Sequence, residues 1–207
     1  MRSTLPTRTT HRRTVRLAGV LLAGGLALAA CSSGDDQPAA SSSVPAHATF
    51  NTADVTFAQD MVPHHEQAVE MAKMVPDRST NPQVLDLAQR IQAAQGPEID
   101  TLNGWLQDWG VASDEEDGGH SGMDRSGMGG MMSAEDMFAL QDSSGTDFDR
   151  MWLQMMLEHH TGAVGMAQTE IADGEDPDAV AMAQDIKTPQ SAEITEMEQL
   201  LQDLSTQ

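Results

Sequence analysis

The sequence contains the stretch Met61-Val-Pro-His-His-Glu-Gln-Ala-Val-Glu-Met-Ala72, and a close copy of it occurs 95 residues later. This recurrence is the strongest indication of the fold. That copy reads Met156-Leu-Glu-His-His-Thr-Gly-Ala-Val-Gly-Met-Ala167. Two further segments, 95–99 and 190–194, share the pattern Gln-x-x-Glu-Ile at the same offset. So many identities in one register indicate an internal duplication of a structural unit.

Each copy is predicted to form two helices of about 25 residues. Helix-capping residues followed by proline mark the second helix of each pair, with Asn81-Pro82 in one copy and Asp176-Pro177 in the other. The predicted helices cover about 52–75, 82–110, 146–172 and 177–204, the first ending at Pro76. No segment alternates with a period of two, so we expect no strands. The prediction is an all-α, ferritin-like four-helix bundle made of two duplicated helix pairs.

Three prolines lie inside these predicted helices, at Pro63, Pro97 and Pro189. Each removes an internal hydrogen bond, so we expect each to kink or split its helix. Between the copies, residues 111–132 are rich in Asp, Glu, Gly and Met. Ser133 with Asp136 then predicts the start of a short helix. The long connection allows either an up-down or a crossover topology, and the sequence leaves that choice open.

The first thirty residues have the pattern of an export signal. Five arginines and no acidic residue precede an apolar stretch that is too short for a comfortable membrane span. That stretch ends in Leu28-Ala29-Ala30-Cys31, which resembles the bacterial lipobox, and Cys31 is the only cysteine. The resemblance implies cleavage before Cys31 and lipidation of it, which would anchor the protein to the outer face of the cell membrane.

Behind the signal at 1–30, we predict a flexible tether at 31–49 and one domain at 50–207. The domain comprises repeat 1 at about 50–110, the Met-rich linker at 111–132, and repeat 2 at about 133–205. Without the leader arginines, six basic residues remain against 32 acidic ones, a net charge of −26. Such a surface repels nucleic acid, so the expected contacts are a metal ion and, through the lipid anchor alone, a membrane.

A helical wheel predicts where the histidines point. At 100° per residue, Val75, Ala68 and Met61 share one apolar stripe of the first helix, while His64 and His65 lie on the flanks of that stripe. The third predicted helix repeats this arrangement with His159 and His160. We therefore expect four imidazoles at the edges of a methionine-lined core.

Methionines recur beside these histidines at helical spacing. Met61 lies four residues before His65, Met71 lies seven after His64, and the second copy repeats both relations. Imidazole and thioether together suit copper, above all Cu(I). The candidate metal ligands are Met61, His64, His65, Met71, Met156, His159, His160 and Met166. A duplication copies structural residues as faithfully as ligands, so core histidines that bind no metal remain the alternative.

The linker contains more of the same residue types in a stretch where we expect no core to be filled. Methionines there need an explanation other than packing, although a low-complexity linker is equally consistent with the composition. The possible auxiliary ligands, together with one residue of the third predicted helix, are His120, Met123, Met128, Met131, Met132 and Met155.

Several classes of activity are disfavoured by what the sequence lacks. A ferritin-like di-iron site needs Glu-x-x-His on two helices and further glutamates on the others, and no such carboxylates precede the His pairs. Nucleophile motifs, phosphate-binding glycine loops and zincin motifs are likewise missing. We therefore expect a protein that is not an enzyme.

The two His-His motifs and both Gln-x-x-Glu-Ile segments resemble the domain-of-unknown-function 305 family. The resemblance covers about Phe50 to Leu204. It implies a ferritin-like four-helix bundle that is secreted or periplasmic. Because the family includes CopM-like copper-binding proteins of the bacterial envelope, it also implies binding of Cu(I) and Cu(II) in some members.

Two functions follow as hypotheses. In the first, the protein is an extracytoplasmic, lipid-anchored protein that buffers or sequesters copper through the duplicated His-His and Met motifs. In the second, it is an envelope interaction or structural module without metal, in which the histidines are satisfied by hydrogen bonds within the core.

Overall fold

The computed structural model describes residues 49–111 and 129–206. The predicted signal, Cys31 and nearly all of the tether lie outside the described residues. So do three of the proposed auxiliary ligands, His120, Met123 and Met128. Residues 41–207 belong to one compact unit, and every structural statement below concerns its described part.

Five helices and no strands are present in the described part, which confirms the all-α fold. In chain order they are α1 (Thr52–Arg78), α2 (Pro82–Asp108), α3 (Ala134–Asp142), α4 (Gly145–Asp173) and α5 (Pro177–Ser205). None of these helices is both long and apolar enough to cross a bilayer.

Capping residues start the helices where the sequence predicts them. Asn81 and Asp176 accept hydrogen bonds from the first backbone N–H groups of α2 and α5, and a proline follows each of them. Ser133 and Asp136 form a reciprocal capping box at the start of α3. The predicted short helix after the linker is therefore confirmed, with its cap.

Of the two effects expected of the prolines, a kink or a split, the split does not occur. Pro63 and Pro76 both lie inside the continuous α1, Pro97 lies inside α2, and Pro189 lies inside α5. The predicted end of the first helix at Pro76 is also wrong, since α1 continues to Arg78. A proline costs a helix about 3 kcal/mol, which the burial of a long apolar face against other helices can outweigh.

The helix pairs α1–α2 and α4–α5 pack against one another mainly through α1 and α4. These two helices are antiparallel: the indole Nε1 of Trp152 donates to the carbonyl of Met71, and the amide of Asn51 donates to the carbonyl of Asp173. The Trp109 ring at the end of α2 stacks on Phe50, just before α1. The connection from α2 to α4 must therefore run from one end of the bundle to the other, which selects the crossover topology.

Two apolar clusters fill the bundle. One surrounds Trp152, Met71 and Leu87 near the end of α1, and the other surrounds Phe57, Leu102 and Ile186 nearer its start. The His-His motifs occupy the middle of α1 and α4, between the two clusters. The fold thus places its most polar buried residues at mid-height of the bundle.

Candidate metal centre

All four histidines of the repeated motif are buried, with exposed fractions of 0 to 1%. The wheel placed them at the edges of the apolar stripe, and the structure places them fully inside. A wheel treats one helix against one surface, whereas α1 contacts both α2 and α4, and α4 contacts both α1 and α5. Both flanks of each stripe are therefore covered.

The two inner histidines meet across the interface between the repeats. The ring centroids of His64 and His159 lie 3.7 Å apart, with their planes tilted by 39°. Because the repeat offset relates these two residues to each other, their contact marks the pseudo-twofold axis of the duplication. The ring of His160 lies 6.5 Å from that of His159.

Each outer histidine is bonded to a glutamate on the second helix of its own repeat. His65 Nε2 lies 2.9 Å from Glu98 Oε2, and His160 Nε2 lies 2.9 Å from Glu193 Oε2. The sequence-based interpretation missed both carboxylates because it sought Glu-x-x-His on the histidine helices. The signal was nevertheless present, since Glu98 and Glu193 are the glutamates of the duplicated Gln-x-x-Glu-Ile segments.

Most of the buried polar atoms in this layer have no partner in the described part of the chain. Five of the eight ring nitrogens are unpartnered: Nδ1 of all four histidines and Nε2 of His159. On the facing helices, Oε1 of both Gln95 and Gln190 is equally unpartnered. Burying a polar group without a hydrogen bond costs free energy, so a layer with this many orphaned atoms is unusual for a purely structural core.

The inner histidines are held as neutral imidazoles. Burial lowers the pKa of His64 to about 3, with a further contribution from the neighbouring His65. Burial and the proximity of His64 bring the pKa of His159 well below its ordinary value as well. A neutral imidazole keeps one nitrogen lone pair, which is the form that binds metals.

A short segment of the connection, Gly129 to Met132, lies across this layer, and we call it the strap. His64 Nε2 and the carbonyl oxygen of Gly129 are 3.2 Å apart. The side-chain amide of Gln67 donates to the carbonyl of Met132 (2.9 Å) and accepts from its N–H (2.8 Å). The strap thus binds α1 through two side chains one turn apart.

The strap also needs glycines where it meets α4. A Cβ on Gly162 would collide with the carbonyl group of Gly129, and a Cβ on Gly130 would meet the carbonyl of Glu158 at 2.5 Å. Gly130 has φ +86°, in the left-handed region that favours glycine. Met131 and Met132 therefore belong to a docked segment, and Met132 packs against the core, contrary to the expectation of a coreless linker.

The proposed methionine ligands divide into two groups. Met61 and Met156 are buried one helical turn from His65 and His160. Met71 and Met166 lie seven residues beyond His64 and His159, a rise of roughly 10 Å along the helices, and they belong to opposite apolar clusters. Met155 is buried in the cluster around Trp152. The eight predicted ligands therefore cannot all surround one ion.

The arrangement offers imidazoles and thioethers rather than a cluster of carboxylates. Within residues 49–111 and 129–206, no group of three or more His, Cys, Asp or Glu side chains is positioned to hold a metal ion. A metal ion bound in this layer would therefore have at most two imidazole ligands as the side chains now lie, with neutral sulfur or oxygen donors completing its coordination. That donor set fits a soft ion such as Cu(I) better than Zn²⁺, Mg²⁺ or Ca²⁺.

Comparison with solved structures finds proteins with a similar fold, which this chain matches over nearly their whole length. A presumed secreted DUF305 protein from Streptomyces coelicolor superposes with a TM-score of 0.66 at 31% identity, covering 74% of this chain and 94% of that one. CopM in its Cu(II)-bound form gives a TM-score of 0.62 at 32% identity, covering 72% and 96%. Its Cu(I)-bound form gives 0.59 at 31% identity, with the same coverage.

Among curated proteins, no sequence matches the chain. The family profile described as a domain of unknown function, DUF305, matches residues 54–201. That range contains nearly all of α1 and most of α5, with both His-His motifs and both paired glutamates. With four long helices, a duplicated histidine layer and a family match over most of its length, the chain belongs to the DUF305 family.

Proposed function

We propose that this protein binds copper outside the cytoplasm and acts as a buffer or sequestering protein, not as an enzyme. The observation that carries the proposal is the Glu–His pair that occurs once in each repeat. Metal-binding histidines commonly donate the N–H of one ring nitrogen to a carboxylate, which fixes the tautomer and leaves the other nitrogen for the metal. His65 with Glu98 and His160 with Glu193 have this arrangement, with Nδ1 unpartnered in both.

The ligands would be drawn from the four histidines of the layer, of which the described structure positions no three around one point, with Met61 and Met156 one helical turn away as candidate thioethers. Copper would supply the Lewis acid that satisfies the unpartnered nitrogens. Imidazole together with thioether is a donor set that suits copper, and the soft thioether favours Cu(I). The similar protein CopM also supports copper as the ion, since CopM has been solved with Cu(I), Cu(II) and silver.

The alternative function, a metal-free interaction module, requires histidines that the core itself satisfies. Among the described residues only three of the eight ring nitrogens have a partner, which weighs against this alternative. Metal analysis of the protein purified from its native host separates the two: stoichiometric copper supports binding, and metal-free protein from copper-supplied cells supports the interaction module.

Titration with Cu(I) against a competing chelator, without oxygen, tests the proposal directly. We expect the double variant His64→Leu, His159→Leu to lose at least about 100-fold in affinity, more than removal of a residue that hydrogen-bonds a metal ligand costs. Leucine has a volume close to that of histidine, and the variant removes three unpartnered ring nitrogens while the Gly129 carbonyl loses its contact with His64, so it should unfold at about the same temperature. The matched control is Met71→Leu, in the same helix but two turns away, with unchanged affinity. Unchanged affinity in the double variant would refute the site.

Lipid anchoring at Cys31 is the second part of the proposal and rests on the sequence alone. The acidic domain would then stand on the outer face of the membrane, where copper arrives and where no other cysteine of this chain competes for it. Metabolic labelling with a fatty acid tests the anchor. We expect label in the native protein and none in Cys31→Ser, and an unlabelled native protein would exclude the anchor.

A further inference from the structure

The four histidines of the layer have exposed fractions of 0 to 1%, so no ion from solvent reaches them unless part of the protein moves. The layer is enclosed by the four long helices: α1 packs on α2 and on α4, and α4 packs on α5. The segment that moves most easily therefore decides how an ion reaches the layer.

Three of the four interfaces between these helices are closed at the level of the histidines by side chains of the helices themselves. Between α1 and α2, His65 is bonded to Glu98, and between α4 and α5, His160 is bonded to Glu193. Between α2 and α5, Arg90 Nη1 lies 3.6 Å from Glu193 Oε1. Opening any of these interfaces would separate helices of 27 to 29 residues that pack along their length.

The fourth interface, between α1 and α4, is covered at this level by the strap. The strap contacts both inner histidines: the carbonyl oxygen of Gly129 lies 3.2 Å from His64 Nε2, and a Cβ on Gly130 would lie 3.0 Å from the backbone of His159. It is also the one part of this enclosure, among the described residues, that is not a helix. The strap thus lies directly over the two rings that meet across the repeats.

Few contacts hold the strap in place. The side chain of Gln67 makes two hydrogen bonds to the backbone of Met132, and the side chain of Met132 packs against the cluster around Trp152. Segments with few buried apolar contacts open locally at a lower free energy than the helices of a core. Lifting four residues therefore costs much less than parting two helices.

We propose that the strap is the lid of the histidine layer: it lifts to expose His64 and His159, closes again, and is latched by Gln67. The lid is a property of the metal-free chain, whereas its role in admitting copper rests on the proposed function. A carbonyl oxygen can only accept, so the proton of His64 is on Nε2 and the lone pair is on Nδ1. The closed strap therefore leaves that lone pair free for a metal ion.

A lid that closes over both the empty and the occupied layer controls rates and not affinity. Gln67→Ala removes both hydrogen bonds of the latch, which should raise the fraction of open molecules about 10-fold. The rate at which a ligand or reagent reaches the layer is proportional to that fraction. Association and dissociation should therefore accelerate together.

Labelling of the metal-free full chain with diethyl pyrocarbonate tests the lid without any metal. The reagent attacks neutral imidazoles, and fragmentation of the labelled peptides in a mass spectrometer locates each modified ring. In Gln67→Ala we expect His64 and His159 to be modified about 10-fold faster than in the native chain. His65 and His160 serve as internal references with unchanged rates, because they are bonded to α2 and α5.

Gly162→Ala displaces the strap from the side of α4 and should give the same selective acceleration, which keeps the test valid if one variant folds poorly. The control is Gln92→Ala on the exposed face of α2, with native rates at all four histidines. Arg90→Gln weakens the opposite interface and should also leave the rates of the inner histidines unchanged. Acceleration in Arg90→Gln but not in Gln67→Ala would place the path between α2 and α5 and overturn the proposal.

Equal acceleration of all four histidines in Gln67→Ala would also overturn the proposal, since it would indicate loosening of the whole bundle. Stopped-flow mixing with Cu(I), and transfer of Cu(I) to an excess of a coloured chelator, measure the two rates for the metal. Both should rise about 10-fold in Gln67→Ala, with the affinity within about threefold of native. A native chain that binds no Cu(I) would refute the proposed function alone, whereas normal Cu(I) binding with native labelling in Gln67→Ala would refute the lid alone.

Discussion

The two repeats agree where they face their own partner helices and differ where the strap crosses them. His65–Glu98 and His160–Glu193 have the same atoms at the same 2.9 Å distance. At the strap, the equivalent positions are Gln67 in one repeat and Gly162 in the other. The first bonds to the backbone of Met132, and the second leaves room for Gly129.

This difference shows which contacts a duplication can preserve. Contacts within a helix pair occur twice and can stay alike. A single connecting segment has no symmetry-related copy, so it contacts the two repeats differently. The strap therefore makes His64 and His159 unequal: the first has the carbonyl of Gly129 beside Nε2, and the second finds no partner for either nitrogen in the part of the chain that the structure describes. Two residues of common origin thus have different chemical surroundings.

Acid should act on both repeats, and this is the largest effect we expect on the metal-free protein. His64 titrates near 3 when folded and near 6.5 when unfolded, so the unfolded chain binds more protons in acid. The folded state therefore loses stability as the pH falls below 6.5, by roughly 1.4 kcal/mol per pH unit for each such histidine.

Urea unfolding at pH 7 and pH 4.5 measures this loss against the single variants His64→Leu and His159→Leu. His64→Leu should remove about 2.5 kcal/mol of the acid-induced loss. His159→Leu should reduce the loss as well, because burial lowers the pKa of His159. Glu170 acts in the opposite direction, because its raised pKa favours the folded state in acid, but it is common to all three proteins and cancels. If the native chain and a variant lose stability in parallel, that histidine is not held neutral.

One added methyl group on α4 should displace the strap. Gly162→Ala places a Cβ against the carbonyl of Gly129, so we expect a loss of about 2 kcal/mol in unfolding free energy as the strap shifts. Gly165→Ala is the matched control one turn along α4, where a Cβ meets nothing within 4 Å. That change should instead gain up to about 1 kcal/mol of helix propensity. A gain in both variants would show that the strap is not held against α4.

The smallest effect that we expect concerns the two glutamates that pair with histidines. Glu98→Gln and Glu193→Gln each remove the charge that faces a histidine, and each should weaken Cu(I) binding by about 10- to 100-fold. Competition titration of the two variants measures whether the repeats contribute alike. Arg90 Nη1 lies 3.6 Å from Glu193 Oε1, so the negative charge of Glu193 is already partly compensated. Affinity unchanged in both variants would remove the glutamates from the site.

Much of the fold was predictable because its signals are local or repeated. The caps at Asn81, Ser133 and Asp176 depend on residues within one turn, and the duplication is visible as identities at a single offset. The continuity of the helices through the prolines was not predicted, because the destabilisation by a proline is local whereas the packing that offsets it is not. Continuous helices through Pro63 and Pro97 are stabilised by packing along the whole bundle, which no window of sequence contains.

The site was predictable in its residue types and not in its contacts. The sequence pointed to the four histidines and to four methionines, of which only Met61 and Met156 lie within one turn of the histidine layer. Glu98 and Glu193 were missed although both belong to the duplicated Gln-x-x-Glu-Ile segments. A partner 33 residues away is brought close only when α2 packs against α1.

By itself the sequence determined that this chain is a duplicated, all-α protein with two His-His motifs, because periodicity, caps and repeats are properties of the chain alone. Only the packing of the helices brought the four histidines into the core, paired His65 and His160 with glutamates, and laid the strap across one side of the histidine layer. Burial and pairing depend on which helices meet and on where one connecting segment crosses them. The duplication supplies two copies of each helix but a single strap and a single α3.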